Sequence, residues 1–196
     1  MAEAATAAGI GVLSSQTVAG GTTDIGLLLE QLQSLHPERI VTLLGSSSGT
    51  FFHAYEQGGG RIPLAGRIDF AAALANLSPS FLAAGGLDQA VGISVFTPSA
   101  PIPAVSRFVA SYKAKYGLAP TQRSVFAFEA TELVVDAIRR AGSMDPSAIQ
   151  QALKSTRMPS MLGGTFTMDA HNHAHTMMQI VGIRNGKVTV LDQLGQ

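Results

Sequence analysis

The sequence contains no cysteine and no tryptophan, and only 13% of its 196 residues are charged. Without cysteine, the chain has no disulfide, no thiolate metal site and no cysteine nucleophile. Its 13 lysines and arginines balance 13 aspartates and glutamates, so the formal net charge is zero. A neutral chain offers no broad basic surface to nucleic acid or anionic lipid, which excludes nucleic acid as a partner.

Long apolar runs are also missing. No uninterrupted apolar stretch approaches the roughly 18 residues that a membrane-spanning helix needs. Residues 1–11 lack the basic region and the sustained apolar run of a signal peptide, so none is predicted there. Hydrophobic residues still make up 46% of the chain, which is enough for a packed core and argues against disorder. The length fits one domain, or one lobe of a two-lobed protein with part of the other.

In the first half of the chain, strand-like and helix-like segments alternate, a pattern typical of an α/β fold with a parallel sheet. A strand is predicted over Ile10–Val18. Thr22-Thr23-Asp24 then supplies N-cap chemistry for a helix with one apolar stripe. Further strands are predicted at residues 39–44 and 62–66, with a helix between them. The result is two successive β-α-β units.

The second half begins with a strand at residues 91–96 and ends in β-rich segments. Asn185-Gly186 lies between two such segments and is a strong hairpin signal. The other predicted elements of this half are helices at residues 105–116, 124–141 and 146–153, and strands at residues 165–168, 179–184 and 187–191.

Six phrases in order resemble the branched-chain amino-acid (Leu/Ile/Val-type) substrate-binding proteins of ABC transporters, a family with the periplasmic-binding-protein class I fold. They are Gly21–Asp24; Ile62–Gly66; Phe108–Gly117 with Pro120; Phe128–Thr131; Val135–Ile138 with Ala141–Ser143; and Gly163–Phe166. Each phrase is weak alone, but their order and spacing extend across nearly the whole chain.

The resemblance implies two Rossmann-like lobes joined by crossover strands, and it implies that this chain holds only part of that fold. Residues 1–92 would be the second lobe, incomplete at its start. Residues 93–160 would be a helical return segment belonging to the other lobe, and residues 161–196 the C-terminal strands and hairpin. On this interpretation the chain is N-terminally truncated, and a homo-oligomer is expected if it is.

The function implied by the resemblance is solute capture without catalysis. The solute would be an amino acid or a related small polar molecule, held in an interlobe cleft and passed to the membrane permease of an ABC transporter. The location would be periplasmic or otherwise extracytoplasmic, and no cofactor is expected. Two alternatives stay open: a ligand-sensing receptor domain of the same fold, and a serine hydrolase.

The hydrolase alternative rests on Gly45–Gly49, which fits the G-x-S-x-G pattern with Ser47 as nucleophile between a strand and a helix. Few strands precede this turn, and no upstream oxyanion loop is evident, which favours an ordinary strand-to-helix turn. Ligands of open α/β sheets bind at the carboxyl ends of the strands, where Ser46 and Ser47 fall. These two serines are therefore predicted to contact a polar group of the ligand.

The resemblance adds three candidate residues. In the family, an acidic side chain just after the Ile62–Gly66 strand pairs with the ammonium group of the ligand, and Asp69 is one position away from the expected place. Helix N-capping is the other interpretation of Asp69. Phe126 and Phe128 match the family's aromatic position, so either could contact the ligand, although core packing is the simpler explanation. The family fixes the α-carboxylate with groups from the lobe that this chain lacks.

His171, His173 and His175 alternate with other residues, close to Asp169. On an extended segment this spacing places three imidazoles on one face, as in a zinc or nickel site. A polar turn before the final hairpin is the favoured interpretation, so no metal site is predicted.

Overall fold

The computed structural model describes residues 2–45, 47–68, 70–184 and 186–195. Helices and strands alternate through the first half, and strands dominate the end. The helices are α1 (Ala2–Ala7), α2 (Gly26–Ser34), α3 (Ser48–Gln57), α4 (Phe70–Asn76), α5 (Pro79–Ala83), α6 (Pro103–Tyr116), α7 (Gln122–Ala141) and α8 (Pro146–Lys154). The strands are β1 (Ile40–Leu43), β2 (Leu64–Arg67), β3 (Val91–Ser94), β4 (Arg157–Pro159), β5 (Thr165–Met168), β6 (Ala174–His175), β7 (Met178–Arg184) and β8 (Lys187–Leu194).

Five strands form one sheet in the order β1-β2-β3-β7-β8, and β4, β5 and β6 form a second, antiparallel sheet. The pairs β1–β2 and β2–β3 are parallel, with Ile40 opposite Leu64 and Ala65 opposite Val91. The predicted α/β class with a parallel sheet is therefore confirmed. No helix in the described ranges is both long and apolar enough to cross a membrane.

The chain divides into two compact units. Unit 1 comprises residues 1–92 and 182–187, and unit 2 comprises residues 93–181 and 188–196. The chain consequently passes from one unit to the other three times: within β3, within β7 and at the start of β8.

The core of unit 1 is built around α3, whose aromatic side chains pack together. The rings of Phe51 and Phe52 meet edge-on with centroids 5.6 Å apart, and Tyr55 lies 6.1 Å from Phe51. The Tyr55 hydroxyl donates to the carbonyl oxygens of Gly60 and Ile62, at 2.9 and 2.7 Å. Burial raises the pKa of this phenol to about 12. These contacts fix the turn that leads from α3 into β2.

Side-chain caps are present at the starts of helices α7 and α8 of unit 2. Thr121 and Ser124 form a reciprocal capping box at the start of α7. Asp145 accepts the Ala148 amide at the start of α8, and Gly142 ends α7 with a φ of 60°. The core of this unit contains Phe96, Ala100, Val105, Val125 and Leu162.

One predicted element is wrong: residues 10–18 form no strand. The prediction rested on β-branched and apolar residues, which favour strands only when a neighbouring strand supplies hydrogen bonds. Ile10, Val12 and Leu13 are instead 60%, 46% and 62% exposed.

Candidate functional site

The carboxyl ends of β1 and β2 lie at one edge of the unit 1 sheet, because the two strands are parallel and Leu43 is opposite Arg67. The chain turns from the end of β1 into α3, and from the end of β2 towards α4. Side chains in these two connections are therefore the candidates for contact with a ligand at this edge.

Ser47 is the residue before α3 and is only 8% exposed. Its hydroxyl makes no capping hydrogen bond to the helix. The hydroxyl of the next residue, Ser48, donates to the carbonyl oxygen of Gly45 at 2.7 Å. Ser48 thus braces the turn, while the Ser47 hydroxyl stands beside the positive end of a ten-residue helix. This arrangement suits an acceptor such as a carboxylate oxygen.

Asn76, the last residue of α4, lies close to the first turn of α3, and no sequence pattern predicted this position. A Cβ atom on Gly49 would lie 3.2 Å from the Asn76 side-chain oxygen, so glycine lets the end of α4 approach the first turn of α3. The Asn76 side chain therefore lies close to Gly49, two residues after Ser47. In the sequence, Asn76 is a single asparagine at the end of a short alanine-rich helix, which does not indicate that it lies near α3.

The backbone at Ser47 does not have the form that a hydrolase needs. Its φ of −84° and ψ of 5° are ordinary values, whereas a nucleophile elbow holds its serine in a strained turn. The ring of His53 lies 3.0 Å from the Gln57 amide nitrogen instead. In the described part of the chain, no histidine hydrogen-bonds to Ser47. The geometry supports the interpretation of residues 45–49 as a strand-to-helix turn.

Ser46 and Asp69, two of the five predicted site residues, lie outside the described residues. On either side of Asp69, Ile68 and Phe70 are each only 5% exposed, and α4 begins at Phe70.

Phe126 and Phe128 belong to unit 2 and lie on α7, with exposed fractions of 42% and 45%. Residues two positions apart on an α-helix are separated by about 200° around the helix axis, so the Phe126 and Phe128 rings point to different sides. The ring of Phe128 packs against Phe108, with centroids 5.1 Å apart. Phe128 is therefore engaged in packing, and Phe126 is the better candidate for contact with a ligand.

Two buried polar residues of unit 2 were not predicted. The Glu129 carboxylate on α7 accepts the Ser160 hydroxyl at 2.5 Å and the Met161 amide at 2.9 Å. Gln179 in β7 is 1% exposed, and neither its amide nitrogen nor its amide oxygen has a partner among the described residues. In the sequence, Glu129 follows Phe128 and Gln179 follows Met178, which does not mark either residue as buried. Only their burial in the structure distinguishes them from polar residues at the surface.

The histidines near Asp169 do not share one extended face. Only Ala174 and His175 form a strand, and Asn172 has a φ of 63°. One Asp169 oxygen accepts the amides of His171 and His173, each at 2.8 Å, and these bonds hold the pKa of the carboxyl below its usual value. No three or more His, Cys, Asp or Glu side chains in the described ranges are arranged to hold a metal ion. The segment is a polar turn.

Two surface cavities are not lined by Ser47, Phe126 or Phe128. One, of about 70 Å³, is lined by residues including Tyr55 and Leu64 in unit 1, where β2 begins rather than ends. Another, of about 250 Å³, lies beside Asp169 and Lys154 in unit 2. Neither is at the carboxyl edge that Ser47 occupies.

The chain was compared with known protein families and with curated protein sequences. The sequence profile of a family described as periplasmic binding protein matches residues 1–187. No curated protein sequence matches the chain significantly.

Among solved structures, similar folds include three proteins with low sequence identity. A solute-binding protein of an ABC transporter from R. palustris, in complex with benzoate, is 19% identical over 98% of this chain and 52% of its own, with a TM-score of 0.79. A leucine-binding protein from Thermotoga maritima is 22% identical over 91% and 50%, with a TM-score of 0.70. A leucine-, isoleucine-, valine-, threonine- and alanine-binding protein from Brucella ovis is 16% identical over 98% and 52%, with a TM-score of 0.79. This chain spans about half the length of these structures.

Proposed function

This chain belongs to the periplasmic binding protein family, and on that premise we propose that it takes part in capturing a small polar solute for a membrane permease of an ABC transporter. The family match over residues 1–187 carries the proposal. The location that goes with this role is extracytoplasmic. A ligand-sensing domain would use the same binding chemistry without the permease.

For the solute, we favour a carboxylate attached to an apolar group. The similar structures are named for leucine and other amino acids or for benzoate, and leucine and benzoate both fit that description. The Ser47 hydroxyl and the first amides of α3, together with Ser46, would donate hydrogen bonds to the carboxylate or to another acceptor group of the solute. Asp69 would pair with an ammonium group if the solute is an amino acid, and of Phe126 and Phe128 we favour Phe126 for contact with its apolar part, because the Phe128 ring packs against Phe108.

Binding by this chain should be weak, because the resemblance assigns part of the polar contacts to residues that the chain lacks. We expect a dissociation constant no better than roughly 1 mM, which corresponds to about −4 kcal/mol. Titration with leucine or benzoate up to about 20 mM, followed by amide NMR spectra, should shift the resonances of residues 47–50. Glucose, which has no carboxylate, is the control.

Ser47→Ala should reduce these shifts without unfolding the protein, because Ser47 makes no capping bond that the helix would lose. If no carboxylate changes the spectrum, or if glucose changes it equally, the binding proposal fails for this edge of the sheet.

We also propose that the chain makes and breaks no bond of its solute. A fluorophosphonate probe should leave Ser47 unlabelled after prolonged incubation, because no histidine among the described residues hydrogen-bonds to its hydroxyl as an activating base. Mass spectrometry of peptides containing residue 47 would detect the adduct. Labelling that disappears in Ser47→Ala would show that the residue is a nucleophile and would overturn this proposal.

A further inference from the structure

Asp169 lies at the centre of a cluster of ionisable side chains in unit 2. One of its carboxylate oxygens, Oδ1, accepts the amides of His171 and His173, each at 2.8 Å. The other oxygen, Oδ2, lies 3.5 Å from Nδ1 of His173 and 3.4 Å from Nε2 of His175. One carboxylate thus contacts two amides and two imidazole rings, and all of these groups belong to the connection between β5 and β6 or to β6 itself.

The two imidazole contacts change character with pH. Histidine is the side chain that ordinarily gains a proton between about pH 8 and pH 5. A protonated imidazole donates through both ring nitrogens, so His173 and His175 can then both donate to Oδ2. The present distances exceed the roughly 2.7–2.9 Å of a charge-assisted bond, so both contacts have room to shorten.

The carboxylate itself keeps its charge over this range. The amide of His173, and to a smaller extent that of His171, holds the pKa of the Asp169 carboxyl below its usual value. Asp169 is therefore an anion whenever the histidines gain their protons. Its hydrogen bonds are lost only when the pH falls through that lowered pKa, because a protonated carboxyl is a poorer acceptor.

Two further cations lie near the cluster. Lys154 lines the same cavity as Asp169. Arg157 on β4 shares a face of the antiparallel sheet with His175, because both are opposite Thr167. Lysine and arginine side chains ordinarily keep their charge between pH 5 and pH 8, so the change with pH comes from the histidines.

We propose that the connection between β5 and β6 is a pH-sensitive switch, in which protonation of His173 and His175 fastens the Asp169 carboxylate and tightens the turn. Asp169 also lines the cavity of about 250 Å³, together with Ala170 and Asn172 of the same turn. The wall of that cavity should therefore be held more rigidly in mild acid. The proposal does not depend on the solute-binding role.

Amide hydrogen exchange measured by NMR tests the proposal. Between pH 8 and pH 5.5, the protection factors of the His171 and His173 amides, corrected for intrinsic exchange rates, should rise about two- to fivefold. This is the effect expected of an exposed ion pair. A double variant with His173→Gln and His175→Gln keeps polar side chains that gain no charge, so it should show no rise.

Two single variants separate the charge of Asp169 from the shape of the turn. Asp169→Asn keeps an oxygen that can accept the two amide bonds but carries no charge, so its protection factors should not change between these pH values. His171→Gln is the matched control, because no hydrogen bond or ion pair joins the His171 ring to Asp169 among the described residues. The rings of His171 and His173 have centroids 6.0 Å apart, so protonating both opposes the switch. His171→Gln should therefore keep the rise or enlarge it.

Constant protection factors from pH 8 to pH 5.5 in the parent protein would overturn the proposal. A rise that persists in the double variant or in Asp169→Asn would do the same, and so would a rise that disappears in His171→Gln.

Discussion

Gly66→Ala should destabilise the protein by about 2–6 kcal/mol, of which about 1–3 comes from backbone strain and about 1–3 from forced displacement of neighbours. Gly66 lies in β2 between Thr42 of β1 and Gly92 of β3. Its φ is +104°, a value that side chains disfavour, and an added Cβ would lie 2.4 Å from the Thr42 carbonyl oxygen. Backbone atoms in a paired strand cannot move aside as a flexible side chain can. Urea unfolding followed by circular dichroism measures the loss.

Two other glycines make a graded series with Gly66. A Cβ on Gly92 would lie 2.7 Å from the Phe70 ring, which is a side chain rather than backbone, and Gly92 has no positive φ. Gly92→Ala should therefore cost about 1–3 kcal/mol. Gly26, at the start of α2, has nothing within 4 Å of an added Cβ. Gly26→Ala should be neutral or stabilise by up to about 1 kcal/mol. Equal effects at all three positions would contradict the close approach of β2 to β1.

Glu129→Ala should cost about 2–5 kcal/mol, because it leaves two buried donors without an acceptor. The Ser160 hydroxyl and the Met161 amide both donate to Glu129 Oε1, and Glu129 and Ser160 are only 7% and 8% exposed. The bonds join α7 to the segment after β4, so their loss should loosen unit 2 as a whole. The midpoint of urea unfolding, measured by circular dichroism, should fall accordingly.

Two variants separate this contact from a general effect of changing α7. Glu129→Gln keeps an oxygen that can accept both bonds, so it should lose less than half as much stability as Glu129→Ala. Glu132→Ala removes an exposed carboxylate from the same helix and should stay within about 0.5 kcal/mol of the parent protein. If Glu129→Ala behaves like Glu132→Ala, the buried contact does not stabilise unit 2.

Most elements were predictable because their signals are local. The helices predicted over residues 105–116, 124–141 and 146–153 correspond to α6, α7 and α8, with bounds that differ by at most two residues. The apolar run around Ile40 and the following small residues predicted β1 and the turn into α3. The predicted fold class and family are confirmed. The short helices α1 and α5 and the strands β4 and β6 were missed, because elements of two to six residues carry too little periodicity.

The candidate site was predictable only in part. The turn that carries Ser47 follows from glycine and serine after a buried strand. That Ser48 rather than Ser47 braces the turn depends on which hydroxyl reaches the Gly45 carbonyl. The predicted strand over residues 10–18 failed for a related reason: strand-forming residues do not identify the neighbour with which they pair.

By itself the sequence determined the neutral charge, the absence of cysteine chemistry, the alternation of helices and strands and the family, because these follow from composition or from residues close together in the chain. Tertiary structure alone decided that Gly66 faces Thr42 and that Glu129 is buried against Ser160. Each of these depends on residues that are distant in sequence. Such contacts arise only when the packing of a whole unit decides which of many compatible neighbours a side chain meets.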